Sequence, residues 1–146
     1  KFNKIVACGG TWMVKKDLIE AENWDEIERL TRQAVQTMLG LRVDHIGINT
    51  ENEQEAQAAA KLFVDMFGMK EKVGNSSIFV GENEIEIMKK MYLGKNGHIA
   101  IATHTLPRAI AYFKARGYEF REETVTDKAA YFKDEIAGFA IHLVQR

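Results

Sequence analysis

The chain is short of several features that would narrow its class at once. A single cysteine, Cys8, leaves no partner for an internal disulfide, which places the expected setting in a reducing cytoplasm. A single proline, alongside 28% charged and 46% apolar residues, excludes a disordered linker chain. Basic residues are not in excess. The formal net charge is −1, so neither nucleic acid nor an anionic membrane surface is expected as a partner. No apolar run approaches the roughly 20 residues of a membrane-spanning helix. Lys1 leads straight into a strand pattern, and no signal peptide is read there. With 146 residues there is room for one ordinary domain, or a small domain with an appendage.

What is present is a unit that occurs twice. Residues 97–103 read Gly-His-Ile-Ala-Ile-Ala-Thr, with Ile99 and Ile101 on one face and His98, Ala100 and Ala102 on the other. Such period-two alternation marks a strand with one buried face. Residues 44–50 repeat the arrangement, with His45, Ile46, Ile48 and Thr50 in the places of His98, Ile99, Ile101 and Thr103. A helix follows each strand: Glu53 to Phe67, stopped by Gly68, and residues 106–116, stopped by Gly117. Further strands are predicted over 69–72, 76–81 and 84–89 in the first unit, with Gly81-Glu82-Asn83 as a turn. In the second they are predicted near 118–123, 129–133 and 139–145. Each unit is thus βαβββ, over 43–92 and 97–146. The fold class is α+β, and the free face of the paired sheets must line a cleft.

Parity sorts the polar residues without further help. Ile46, Ile48, Ile85, Ile87, Ile99, Ile101, Ile141 and Leu143 point towards the helices, and His45, Glu86, His98 and His142 point into the cleft. Three imidazoles and a carboxylate suit a divalent ion such as zinc, nickel, iron or manganese. A lone histidine opening a strand is more often a half-buried structural residue; four ligand-type residues on one face carry the metal reading. Glu84, Asn49 and Tyr131 give fainter signals for the same face. The Lys89-Lys90 pair reads as a solvated strand end, and His104 as exposed.

The first forty residues are of another kind. A short apolar run over 4–7 breaks at Gly9-Gly10-Thr11, whose backbone N–H groups suit an anion. A loosely defined connection over 12–19 precedes a helix opened by Asn23 and Glu26 as a capping box. Its apolar stripe is Trp24, Ile27, Leu30, Ala34, Val35 and Met38, and Gly40 ends it.

Residues 43–145, through the Gly-His-Ile-Ala-Ile start, the helix around Arg108–Phe113, the Gly117-Tyr118-Glu119-Phe120 exit and the Ile141-His142-Leu143 ending, resemble the vicinal oxygen chelate superfamily, the glyoxalase and bleomycin-resistance fold. That resemblance implies two βαβββ units in one curved mixed sheet, and a metal held by His45, Glu86, His98 and His142. His142 departs from it, since an acidic residue is usual there. Some branches of the superfamily bind a ligand or protein without metal. Residues 1–41 are similar to the last strand and closing helix of the (β/α)8 barrel of 2-keto-3-deoxy-6-phosphogluconate and 4-hydroxy-2-oxoglutarate aldolases. That similarity implies phosphate binding at Gly9, Gly10 and Thr11. Lys4, Lys15 and Lys16 do not match the motif that carries the family's Schiff-base lysine, so no aldolase turnover is expected of this chain alone.

Together the two resemblances imply the C-terminal piece of a cytoplasmic keto-acid phosphate aldolase, with residues 1–41 from the barrel and 42–146 as a vicinal-oxygen-chelate-like domain. The intact lyase would give pyruvate with glyceraldehyde 3-phosphate or glyoxylate. The expected partner is a small keto acid or sugar-acid phosphate, and a homo-oligomer is expected through the N-terminal segment. Two other readings stand beside this one: a glyoxalase-type metalloenzyme acting on an α-oxo compound, and a non-catalytic oligomerisation module.

Overall fold

The computed structural model describes residues 9–146; the strand expected over 4–7 lies outside them. The chain divides into two compact units between Met38 and Leu39. In the first, Thr11–Met13 forms one 3-10 turn, Lys16–Glu20 a short helix (α1) and Trp24–Leu39 a long one (α2). Half of the expected capping box forms: Asn23 Oδ1 accepts the Glu26 backbone N–H at 3.3 Å, while the Glu26 carboxylate accepts from Arg29 and the Asn23 N–H donates to the Leu18 carbonyl. Along the apolar stripe of α2, Trp24 and Met38 are exposed and Ile27, Leu30, Ala34 and Val35 are half-buried.

The second unit runs β1 (Arg42–Asn49), α3 (Glu53–Phe67), β2 (Glu71–Val73), β3 (Ser77–Val80), β4 (Ile85–Met88), β5 (Gly97–Thr103), α4 (Leu106–Lys114), β6 (Ala129–Ile136) and β7 (Phe139–Gln145). These strands form one mixed sheet in the order β2-β3-β4-β1-β5-β7-β6. The opening strands of the two repeats, β1 and β5, pair antiparallel at its centre. Parallel partners flank them, β4 beside β1 and β7 beside β5. This is the expected α+β architecture of two joined units. Among the described residues no helix is long and apolar enough to cross a membrane.

Local chemistry sets the ends of α3. Asn52 Oδ1 accepts the Glu55 N–H at 3.0 Å, and Gly68 closes the helix at φ +66°, a conformation costly for any residue with a Cβ. One face of α3 then buries Ala56 and Ala60 against Ile78, Val80 and Ile87, with Phe63, Met69 and Ile85 around them. Small residues on the helix let it approach the branched side chains of β3 and β4. Each fully buried isoleucine contributes roughly 1.5–3 kcal/mol. In the second repeat Leu106, Ala109 and Leu143 are buried, and the Phe113 ring meets Phe132 edge-on at 5.1 Å.

Several boundaries differ from expectation, among them β6, predicted near 129–133, which runs to Ile136. The strand predicted over 69–72 forms over Glu71–Val73, and the helix predicted over 106–116 ends at Lys114. More consequential is the stretch near 118–123, which is not a strand. Only one bridge forms there, Phe120 to Phe132, before the chain coils into a 3-10 turn at Glu122–Thr124. A side chain replaces the next rung. The Thr124 hydroxyl accepts the Tyr131 N–H at 3.0 Å and donates to the Arg121 carbonyl at 2.7 Å. The sheet therefore has seven strands.

Candidate metal centre

Register places the polar residues in two rows across the helix-free face. One row reads Glu86, Gly47, His98, Ala140 on β4, β1, β5 and β7; the next reads His45, Ala100, His142, Tyr131 on β1, β5, β7 and β6. Large polar side chains thus alternate with glycine or alanine, except where Tyr131 stands beside His142, and the His98 imidazole leans over Gly47. Gly47 shows how close the fit is, since a Cβ there would run into the His98 ring. On β1 a bulge sets the orientation. Between Val43 and His45 the register slips by one residue, so Asp44 is the extra one and His45 comes to face Ala100.

The ligand atoms of His45, His98 and His142 all lie within 4.8 Å of one another, and all three residues are buried. His45 Nε2 is 3.2 Å from His98 Nε2. Glu86 Oε2 lies 3.2 Å from His98 Nε2 and 3.3 Å from His45 Nε2, and Ser77 Oγ donates to its other oxygen at 2.6 Å. On the far side of His45, Nδ1 is 2.9 Å from Asp44 Oδ2. His142 is held differently: its ring lies flat on Tyr131, and neither of its nitrogens has a hydrogen-bond partner. The His98 Nδ1 is likewise unpartnered. A buried nitrogen without a partner costs about 1–3 kcal/mol, and a cation among these rings would engage such atoms. The donor set fits a divalent ion.

Burial and charge work against each other in this cluster. Burial opposes the charge on Glu86, but hydrogen bonds from His45, His98 and Ser77 win and hold its carboxyl well below the ordinary range. The Arg146 guanidinium holds Asp44 down to about 2, against burial and with help from His45. For His45, burial disfavours the cation, yet Glu86 and Asp44 together raise its pKa. Burial, with the neighbouring His98 and His45, pushes His142 down to about 3. Burial also raises the Tyr131 phenol, with Tyr92 and Glu86 adding to the effect. The face therefore carries a fixed anion at Glu86 and a neutral imidazole at His142.

All four residues predicted for the cleft stand on one face, and the three histidines form the close set. Tyr131, a faint candidate by sequence, stacks directly on His142. Asp44, Ser77 and Arg146 gave no signal, because Asp44 and Arg146 matter through a bulge and a contact across 102 residues, and Ser77 through a cross-strand contact to Glu86. Asn49 instead ties β1 to the linker before β5, donating to the carbonyls of Tyr92 and Gly94. Glu84 folds back onto its own turn through the Glu82 N–H. Lys89 differs from a solvated strand end: its side chain is largely covered and meets Glu53 at 2.7 Å. Of the residues expected to bind phosphate, Gly10 is extended and Thr11 opens the 3-10 turn, and the Trp12 indole packs over Gly10.

No family model matches the sequence. A 31-residue stretch, 21% of the chain, is 61% identical to 2-dehydro-3-deoxy-phosphogluconate aldolase of Haemophilus influenzae, and it spans 15% of that protein's length. Among solved structures, methylmalonyl-CoA epimerase from Mycobacterium tuberculosis is similar with a TM-score of 0.56 at 17% identity, over 74% of this chain and 89% of that one. A hypothetical protein from Bacillus halodurans is similar with a TM-score of 0.52 at 16% identity, over 73% and 94%. At such identities the likeness is one of fold. The seven-stranded mixed sheet with its helices is the glyoxalase-like α+β fold of these neighbours.

Proposed function

We propose that the second unit binds a divalent cation through His45, His98 and His142, with Glu86 as the accompanying carboxylate, and uses it to hold a small α-oxo acid. One observation carries this reading: three buried imidazoles from β1, β5 and β7 converge, and both nitrogens of His142 lack any other partner. A bound divalent ion would supply a Lewis acid able to polarise the oxygens of a chelated α-oxo group. The protein's own residues do the rest. Ser77 fixes the Glu86 carboxylate, Tyr131 fixes the plane of His142, and the alanines and glycine between them keep room over the rings.

The 31-residue likeness to the aldolase supports a wider reading, in which this unit is carried by a keto-acid phosphate aldolase. In that reading the ligand of the cleft is chemically related to the parent's keto acids. A glyoxalase-type reaction on an α-oxo compound is the alternative that the fold of the neighbours favours.

Cobalt(II) titration of the metal-free chain, followed by d–d absorption and metal analysis, tests the site. One equivalent per chain is expected, lost in His142→Ala and His45→Ala, with a spectral change on adding pyruvate. A wild-type chain that takes up no cobalt would remove the metal reading.

A further inference from the structure

The three imidazoles are not held alike, and the difference points to residues outside the ligand set. Among them only His45 has both ring nitrogens engaged; His98 Nδ1 and both nitrogens of His142 have no partner. Asp44 accounts for that. Consecutive residues of a regular strand point to opposite faces, but the bulge between Val43 and His45 turns Asp44 and His45 to the same side. The carboxylate Oδ2 then lies 2.9 Å from His45 Nδ1, with the Asp44 side chain only 11% exposed. Arg146 in turn grips this carboxylate from 102 residues away. Its Nε donates to Oδ1 at 2.7 Å and a terminal nitrogen donates to Oδ2 at 2.5 Å. The backbone N–H of Arg146 is itself fixed, donating to the Thr103 carbonyl on β5 at 3.0 Å.

We infer that Asp44 and Arg146 are positioning residues for His45, fixing its tautomer and ring plane so that Nε2 faces the centre. Asp44 and Glu86 both accept, but Asp44 Oδ2 is the nearer to the ring, 2.9 Å against 3.3 Å, and Glu86 is shared with Ser77 and His98, so the neutral imidazole keeps its single proton on Nδ1 and carries its lone pair on Nε2. That lone pair points to where His98 Nε2 and Glu86 Oε2 lie, at 3.2 and 3.3 Å. Arg146 has two effects. Its fork stops the carboxylate rotating away from the imidazole, and its charge cancels that of Asp44, leaving Glu86 as the uncompensated anion of the cluster. His98 and His142 need no such device, because Gly47 and Tyr131 fix their rings by shape.

This inference rests on the metal reading for its purpose, but its first test does not need a metal. Long-range proton–nitrogen NMR correlations on the metal-free chain at alkaline pH report the tautomer of each histidine. The Nδ1–H form is expected for His45, giving way to the Nε2–H form or a mixture in Asp44→Asn. Cobalt affinity is expected to fall about 10–100-fold in Asp44→Asn and to fall in Arg146→Ala, with Arg146→Lys recovering part of the loss. The dispersion of the same spectra shows whether each variant is folded. An Nε2–H tautomer at His45 in the wild type would overturn the inference. So would an Asp44→Asn chain with unchanged tautomer, or one with a changed tautomer and unchanged cobalt affinity. If the wild type takes up no cobalt, the metal reading falls while the tautomer measurement still decides the role of Asp44.

Discussion

Tyr131 lies flat against His142, their ring centroids 4.3 Å apart and their planes within 7° of parallel. The two residues face each other across β6 and β7, so the stack is a cross-strand pair on the cleft face. It fixes a ring that no hydrogen bond holds. Tyr131→Ala should therefore cost about 3–5 kcal/mol of stability, as for loss of other buried rings, and weaken cobalt binding further. Tyr131→Phe keeps the face of the ring and should bind cobalt close to wild type. Equal loss in both variants would assign the effect to the hydroxyl.

Gly47 makes a second contact of this kind. A methyl group there would occupy the space of the His98 imidazole. Gly47→Ala should destabilise the chain by about 1–3 kcal/mol, as overpacking does, and weaken cobalt binding by displacing one ligand. Unchanged urea midpoint and cobalt affinity would mean that the ring has room to move.

The acid limb of the stability curve belongs first to His142. In the folded chain it stays neutral down to about 3, while the unfolded chain takes up that proton near 6.5. Between those values the unfolded state binds more protons, so stability falls as pH is lowered. His45 acts in another window: its raised pKa adds stability below 6.5 that is lost as pH climbs through the raised value. The depressed carboxyls of Glu86 and Asp44 enter only below their ordinary values of 4.5 and 3.8. Urea midpoints of the metal-free chain should thus drop from pH 6.5 to 4.5, and His142→Gln should flatten that slope. A slope unaltered in the variant would place the titrating group elsewhere.

Ile87 is fully buried between α3 and the sheet. Ile87→Ala should cost about 2–5 kcal/mol in denaturant unfolding while leaving the cobalt stoichiometry intact, because the side chain faces away from the cleft. Lost stoichiometry in a folded variant would mean that the two faces are coupled.

Incubation with pyruvate and borohydride should leave no covalent adduct on this chain. None of Lys4, Lys15 and Lys16 matches the motif that carries a Schiff-base lysine. An adduct mapped to any of the three by mass spectrometry would overturn this expectation.

Much of the fold was legible in the chain because its signals are local. Helix α3 was bounded to the residue, with a glycine stop that acts within one turn, and the structure adds the Asn52 cap at its start. Period-two alternation sorted Ile46, Ile85, Ile99 and Ile141 from His45, Glu86, His98 and His142, since strand geometry alone sends neighbours to opposite faces. The repeat supplied the pairing of two like units. What needed the third dimension was whatever depends on how distant segments meet. The bulge at Asp44 is a slip against a partner strand more than fifty residues away, so His45 and Asp44 share a side only once β5 is in place. Arg146 reaches Asp44 across 102 residues, and no spacing announces that. The eighth strand fails for a similar reason. Residues 118–123 alternate well enough, but the Thr124 hydroxyl captures the Tyr131 N–H that the next rung would have used. Sequence sorted His45, Glu86, His98 and His142 to the cleft face; only the packed sheet, with its register and its competing hydrogen bonds, added Asp44 and Ser77 and decided which side chains touch.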